Sequence, residues 1–294
     1  MLKIPCTSKI DVMCASNAPA ARCQDGDTVI FETMDCYDGA VERDGTRDYE
    51  GREQGKYMAN PATGPLFVEG AMPGDALAVE ILDITTRGWG ALGAGFGGLG
   101  FERYEEKRMM VPFDWPDGYV DFHGKKLPVE PMIGVIGVAP AGKGIETVTP
   151  DAHGGNMDCS RIVKGAKILF PVNAEGGLLA MGDLHAIMGD GEVFGYGLET
   201  SGEVTVRVSV VKDAGITQPV LYVGGKVMTV ASGKTFDDAV RLALESMHDL
   251  LIANGWNETD AGMLMSLKCN LVICQIVDPQ ITVRAEIEEG LLAK

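Results

Sequence analysis

Short stretches in which apolar and polar residues alternate, separated by turn-forming residues, recur through most of this 294-residue chain. The clearest stretch is 202–211, where a valine stands at every even position from 204 to 210. Similar runs lie at 28–32, 77–84 and 281–287. A side-chain period of two is typical of a strand with one buried face. With 46% hydrophobic residues available for a core, the pattern predicts a large β-sandwich or a related β-rich unit.

Two segments near the end of the chain carry helical signals instead. Thr235 is a good N-cap, and apolar residues recur every three or four positions from Phe236 until Asn254 and Gly255, so the sequence predicts a helix there. A second capped segment is predicted to begin at Thr259. Its apolar stripe is predicted to lie in the core and consists of Met263, Leu264 and Leu267.

The predicted fold is therefore β-rich, mainly β-sandwich-like, with a smaller α/β portion that contains the C-terminal helices. We expect a single unit over 1–294, with a β-rich subregion at 1–230 and an α/β subregion at 231–294.

The charge balance bears on the partners. The chain has 42 acidic and 25 basic residues, a formal net charge of -17, which repels nucleic acid backbones and anionic membrane surfaces. We therefore expect neither nucleic acid nor a membrane as a partner. The seven cysteines form no CxxC pair and the start lacks an apolar signal segment, so a cytoplasmic location is expected.

Two glycine-containing clusters, His153–Asp158 and Gly182–Glu192, concentrate the polar chemistry. The chain has only four histidines, and two of them fall in these clusters beside carboxylates. Imidazole, carboxylate and amide oxygen are ligands that suit zinc and related divalent ions. Glycine lets the backbone bend tightly and lets an ion or ligand approach closely. The two clusters together predict a metal site.

Strand ends are expected to position this chemistry. Asp35 follows an early strand, and Glu199 lies at the turn before a later one. Two apolar runs, 167–172 and 177–181, flank a glycine turn and are predicted to form a hairpin that leads into His185.

Two loops without periodicity, 39–64 and 88–100, are predicted to border the site. The second is rich in glycine but lacks the order of strand, glycine turn and helix that a dinucleotide-binding fingerprint requires, which disfavours nucleotide binding.

The clusters His153–Asp158 and Gly182–Glu192 resemble the two signature stretches of the acetamidase/formamidase family. Three further segments, 68–77, 95–97 and 132–140, resemble other blocks of that family in the same order, so the resemblance covers residues 25–280. Methionine stands at position 188, where the family pattern leads us to expect glutamine. The resemblance implies a β-rich fold, a homo-oligomer (a dimer or higher), a bound divalent cation, and hydrolysis of short linear amides to carboxylate and ammonia.

Amide hydrolysis needs a nucleophile, stabilisation of the developing oxyanion and a proton for the departing amine. A zinc-type ion can supply the first two. We hypothesise that Asp158, His185 and Glu199 are metal ligands, with Asp35 or Asn156 completing the set. Zinc is the expected cofactor, and calcium is the alternative as a second or structural ion.

The remaining roles follow from that hypothesis. Glu192 or Asp183 would act as the base that takes a proton from water and passes it to nitrogen. His153 would orient ligands or hold the oxyanion, and Gly155 and Asn156 would contact the small amide substrate.

Two alternatives stay open. The first is a Cys159-dependent amidase in which histidines activate the thiolate. The second is a diverged, non-catalytic β-sandwich module that binds a metal or ligand, in which carboxylates hold a structural calcium.

Overall fold

The computed structural model describes residues 1–94, 107–113 and 118–294. Most of the regular structure in this part of the chain is β-strand, numbered here in chain order, which confirms the prediction of a β-rich fold. Residues 95–100 of the predicted glycine-rich loop lie outside the described residues.

Sheet 1 has nine described strands, and all neighbours pair antiparallel except the first two, which are parallel. In spatial order the strands are β1 (Leu2–Ile4), β5 (Thr28–Thr33), β18 (Gly202–Val211), β7 (Ala76–Thr86), β15 (Lys167–Pro171), β19 (Val220–Val223), β20 (Lys226–Gly233), β22 (Ile281–Glu288) and β21 (Asn270–Gln275).

Sheet 2 also has nine described strands. Its main path runs through β14 (Gly154–Asn156), β12 (Met132–Gly137), β16 (Leu179–His185), β17 (Glu199–Thr200), β8 (Trp89–Ala94) and β9 (Lys107–Pro112). A branch leaves β16 through β6 (Ala62–Val68), which also pairs with β2 (Lys9–Ile10) and β4 (Ala21–Cys23). Two small ribbons complete the strands: β3 (Val12–Met13) with β13 (Ile145–Glu146), and β10 (Tyr119–Phe122) with β11 (Lys125–Pro128).

The two large sheets share one hydrophobic core. Val204, Val206 and Val208 enter it from sheet 1, and Ile133 and Leu184 enter it from sheet 2. All five are fully buried. The valine alternation therefore marks the buried face of β18, as the sequence predicts.

The helices are α1 (Tyr49–Glu53), α2 (Phe236–Ala253) and α3 (Glu258–Lys268), followed by a 3₁₀ turn at Glu289–Leu291. The Thr235 side chain caps α2 by accepting from the Asp238 N–H, so the predicted start of this helix is confirmed. The buried residues of α2 pack with Val227 and Ala231 of β20, whereas Met228 and Val230 of the same strand face the sandwich core. α2 and α3 thus form a third layer on the outer face of sheet 1. None of the helices described here is long and apolar enough to cross a membrane.

The predicted burial of the α3 stripe is wrong. Met263 is 54% exposed and Leu267 is 79% exposed, and only Leu264 packs in part against the second core. The helix buries Ala261 instead, and its cap is Asn257 rather than Thr259. The helix is therefore turned with its small side chain towards sheet 1.

The predicted hairpin around residues 175–177 is also wrong. β15 pairs with β7 and β19 in sheet 1, whereas β16 pairs with β12, β6 and β17 in sheet 2. The glycine turn carries the chain from one sheet to the other. As a result β16 runs through the centre of sheet 2 and ends at His185.

Sheet 1 joins the two predicted subregions. β20 crosses residue 230, and it pairs with β22 along its whole length, from Lys226 with Glu288 to Gly233 with Ile281. The division at residue 230 stays a prediction.

Candidate active site

His185, the last residue of β16, lies at the centre of a buried polar cluster. It is 1% exposed and pairs across the sheet with Glu199 of β17. Its Nε2 lies 3.1 Å from Glu199 Oε2 and 3.5 Å from Asp183 Oδ1, and its Nδ1 lies 3.8 Å from Asp158 Oδ1. One imidazole is therefore surrounded by three carboxylates.

The candidate ligand atoms fall into two groups, and within each group they lie within 4.8 Å of one another. Group 1 consists of Asp158, His185 and Glu192. Group 2 consists of Cys36, Asp183 and Glu199. Three of the four predicted metal ligands, Asp158, His185 and Glu199, therefore lie close to both predicted bases, Glu192 and Asp183. The two bases are themselves members of the candidate ligand groups.

Several buried oxygens of this centre accept no hydrogen bond, although some lie close to the His185 ring. Both carboxylate oxygens of Asp158, Oδ1 of Asp183 and Oε2 of Glu199 accept no hydrogen bond from the described residues. An unsatisfied buried acceptor costs about 1–3 kcal/mol, and more when it is charged. These oxygens are the atoms that a bound cation would satisfy.

The electrostatics of the centre agree with that interpretation. Burial raises the pKa of Asp158 to about 7 and the pKa of Glu199 to about 8, and the Asp183 charge adds to both shifts. Burial alone would lower the pKa of His185, but the carboxylates of Glu199 and Asp183 raise it well above its usual value. Crowded carboxylates favour positive charge beside them, which either protons or a metal ion can supply.

The backbone is strained at three of these side chains. Asp158, Asp183 and Glu192 have φ angles of 42°, 54° and 44°, in the left-handed region that favours glycine. Such strain costs of the order of 1–3 kcal/mol per residue and persists only where the surrounding structure imposes it. The sequence thus has acidic residues at three positions where glycine would adopt the backbone conformation without strain. This supports a functional role for the three side chains.

Gly134 of β12 makes room for two of the carboxylates. A Cβ atom at this position would lie 2.5 Å from Asp158 Oδ1 and 2.9 Å from the backbone oxygen of Asp183. We expect Gly134→Ala to displace both residues, to lower the metal content, and to destabilise the fold by about 1–3 kcal/mol, as overpacking does. Urea unfolding and elemental analysis measure the two effects.

Gly262→Ala is the matched control for that substitution. Gly262 lies in α3, and an added Cβ meets nothing within 4 Å, so alanine should stabilise the helix by up to about 1 kcal/mol. If Gly134→Ala behaved like Gly262→Ala in both measurements, position 134 would not constrain the site.

Asp35 lies in neither group. Its Oδ2 accepts from Arg87 Nη2 at 2.7 Å, and its Oδ1 accepts from the backbone N–H groups of Tyr37 and Gly39. The next residue, Cys36, belongs to group 2 instead. Its thiol has a pKa raised well above the usual range, by burial and by the charge of Glu199.

His153 also lies in neither group. It lines a separate cavity of about 290 Å³ together with Asp151 and Asn173. Both of its ring nitrogens are buried without a hydrogen-bond partner among the described residues, and burial lowers its pKa to about 4. The imidazole is therefore neutral near pH 7, and its predicted role towards the ligands or the oxyanion stays a prediction.

The predicted substrate contacts, Gly155 and Asn156, lie on β14 at the edge of sheet 2. Asn156 Nδ2 donates to Asp278 Oδ2 at 2.9 Å. Burial and the charge of Asp158 raise the pKa of Asp278 well above its usual range, so Asp278 belongs to the same electrostatic centre.

Sequence reasoning missed three residues of this centre. They are Cys36, Asp278 and Asn60, whose Nδ2 donates to Asp183 Oδ2 at 3.0 Å. Two of them share a local signal, because Asn60 and Asp278 each precede a proline. Asx-Pro dipeptides favour turns, which is where both side chains enter the site.

Cys159 lies in the sandwich core together with Cys274. Its side chain is fully buried. A hydrogen bond with the Cys274 thiol lowers the pKa of Cys159 against the opposing effect of burial. The Cys159-dependent amidase stays a prediction.

The fold and the site define a class: β-sandwich proteins with a buried centre of imidazole, carboxylate and thiol groups at the end of a central strand. The chain belongs to the acetamidase/formamidase family, whose sequence model matches residues 16–143 and 138–288. The resemblance inferred from the two signature clusters is thereby confirmed.

Solved structures of similar proteins cover nearly the whole chain. The crystal structure of an acetamidase from Bacillus halodurans has a TM-score of 0.90 at 40% sequence identity and covers 98% of this chain and 98% of that chain. That of a predicted acetamidase/formamidase from Thermoanaerobacter tengcongensis has a TM-score of 0.91 at 38% identity, with coverage of 99% and 96%.

The similarity to curated relatives covers less of the chain than the similarity to the solved structures. A formamidase from Methylophilus methylotrophus is 29% identical in an alignment that covers 66% of this chain and 63% of the relative. This chain thus spans about three fifths of the length of the curated relatives it matches.

Proposed function

We propose that this protein hydrolyses the C–N bond of short linear amides, of the formamide and acetamide type, to a carboxylate and ammonia, with the help of a divalent metal ion. The observation that carries the proposal is the buried centre around His185, in a chain of the acetamidase/formamidase family. Zinc is the proposed ion, and calcium is the alternative for a second or structural site. A homo-oligomer in the cytoplasm remains our expectation from the sequence.

The donor atoms fit a zinc-type ion. Group 1 offers one imidazole nitrogen and two carboxylates, and group 2 offers a thiol and two carboxylates. Nitrogen, oxygen and sulfur ligands in small sets are typical of zinc, whereas calcium takes six to eight oxygens. The buried oxygens without a hydrogen-bond partner lie on the same side chains. We therefore propose that Asp158, His185 and Glu199 hold the ion, while Glu192 and Asp183 serve in proton transfer and positioning. Asp35 is the least suited of the predicted ligands because its carboxylate is paired with Arg87.

A divalent ion bound here would supply Lewis-acid chemistry, polarising the amide carbonyl and making a water molecule more acidic. The residues of the chain supply the proton transfers and the geometry. Glu192 is the proposed base, because its carboxylate belongs to group 1 and the residue is 7% exposed, more than Asp158 or Asp183. It would take the proton of the attacking water and return it to the departing nitrogen. Asp183 is held by Asn60, which favours a positioning role.

The test is ammonia release from a panel of small amides by the protein as isolated, after stripping with a chelator, and after restoration with zinc, manganese or calcium. We expect turnover to disappear on stripping and to return with one metal, best with zinc. Turnover that survives complete stripping would contradict the metal dependence, and Cys159→Ser would then test the thiol alternative. A folded, metal-loaded protein that releases no ammonia from any amide would favour the binding-module alternative.

A further inference from the structure

An apolar pocket of about 180 Å³ lies beside the proposed active site. Among the residues that line it, the aliphatic and aromatic side chains come from five elements or loops of the chain, and they include Leu92, Val111, Val120, Phe122, Leu127 and Leu198. Phe122 is 36% exposed and Leu127 is 40% exposed. These two residues, from the ribbon formed by β10 and β11, leave apolar surface open to solvent where a ligand could cover it.

Two residues connect the pocket to His185. Met188 lines the pocket, and its Sδ lies 3.3 Å from His185 Nδ1. Gly197 also lines the pocket, and a Cβ atom there would lie 2.6 Å from Cγ of the His185 ring. One side chain and one glycine of the pocket lining therefore lie directly against the imidazole of group 1. The Nδ1 edge of the ring, which faces the pocket, is also the edge that faces Asp158.

The pocket is too large and too apolar for a methyl group alone. An apolar protein cavity of about 150 Å³ holds a benzene molecule, so 180 Å³ has room for a phenyl or a branched alkyl group. Pockets of this kind bind by burying apolar surface, and polar groups at one end fix the orientation of the ligand. Here the polar end is the centre around His185.

We propose that this pocket holds the acyl group of the substrate and that Met188 forms its inner wall. The preferred substrates would then be primary amides with an apolar acyl group of about five to seven carbons, such as pentanamide or benzamide. This inference rests on the proposed amide hydrolysis and shifts the preferred substrates from formamide and acetamide to these larger primary amides. The amide group would lie at group 1, with the acyl group directed past the Met188 thioether.

Binding can be measured without turnover, by calorimetric titration of formamide, acetamide, pentanamide and benzamide. Each buried methylene contributes about 0.8 kcal/mol, or about fourfold in affinity, so pentanamide should bind roughly 60-fold more tightly than acetamide. Met188→Gln, which is close in size but polar, should remove most of this preference. Met188→Leu should keep it, because the wall stays apolar. Met263→Gln is the matched control, since Met263 is an exposed residue of α3, and it should behave as the unaltered protein.

The outcomes separate the two proposals. Equal affinities for acetamide, pentanamide and benzamide would overturn the acyl-pocket inference, even if acetamide were hydrolysed. A preference for the larger amides that Met188→Gln leaves intact would also overturn it, because the pocket would then lie elsewhere. Tight, Met188-dependent binding of the larger amides without ammonia release would uphold the pocket and refute the hydrolysis.

Discussion

Replacing His185 by alanine is expected to remove both the bound divalent ion and the release of ammonia. The imidazole is the nitrogen donor of group 1, and it also lies 3.1 Å from Glu199 of group 2. Without the imidazole, the buried carboxylates of the two groups would repel each other, and a cation would have one ligand fewer. A catalytic ion contributes several kcal/mol of transition-state stabilisation, and a loss of about 4 kcal/mol lowers kcat/KM by about 10³-fold.

The measurement for His185→Ala is metal content per chain, by elemental analysis, alongside ammonia release. His248→Ala is the matched control, because His248 lies on α2 and its Nε2 bonds only the Glu258 carbonyl among the contacts described. It should keep both metal and activity. Metal content that is unchanged in His185→Ala would eliminate the imidazole as a ligand.

The strands were largely predictable because facing a core is a local property of the sequence. The alternation at 202–211 and 281–287 needs only one apolar surface to pack against, and β18 and β22 lie there. The choice of partner is not local. β15 and β16 are close in sequence with a glycine turn between them, yet β15 joins β7 and β16 joins β12, through contacts with distant segments. The same dependence on distant contacts decides which face of α3 is buried.

The residues of the candidate site also differ in whether a local sequence pattern indicates them. Asp158 and His185 were identifiable because histidines are scarce in this chain and both lie in glycine-containing clusters. Asp278 was not, since it reaches the centre from a turn 122 positions beyond Asn156, its hydrogen-bond donor. The pairing of Asp35 could not be predicted either, because Arg87, which donates to its carboxylate, lies 52 positions away. Charge pairing across such separations leaves no pattern in one sequence.

Glu192→Gln is expected to lower kcat by about 10²–10⁴-fold, the usual contribution of a general base, while leaving the metal content and KM little changed. Glutamine keeps the size and the oxygen of the side chain but cannot take a proton. Of the two acidic residues of group 1, Glu192 is the more exposed. Steady-state ammonia release measures kcat, and elemental analysis of the same preparation measures the metal content.

Glu175→Gln is the matched control for that substitution, because Glu175 is exposed in the turn between the two sheets, and it should change neither quantity. Loss of the ion from Glu192→Gln would make Glu192 a ligand and would transfer the role of base to Asp183, the other carboxylate proposed for it. Asp183→Asn would then show the kcat loss with metal retained. If both variants kept the ion and full kcat, neither carboxylate would be the base. His153, which is neutral near pH 7 and has no hydrogen-bond partner among the described residues, would be the next residue to replace.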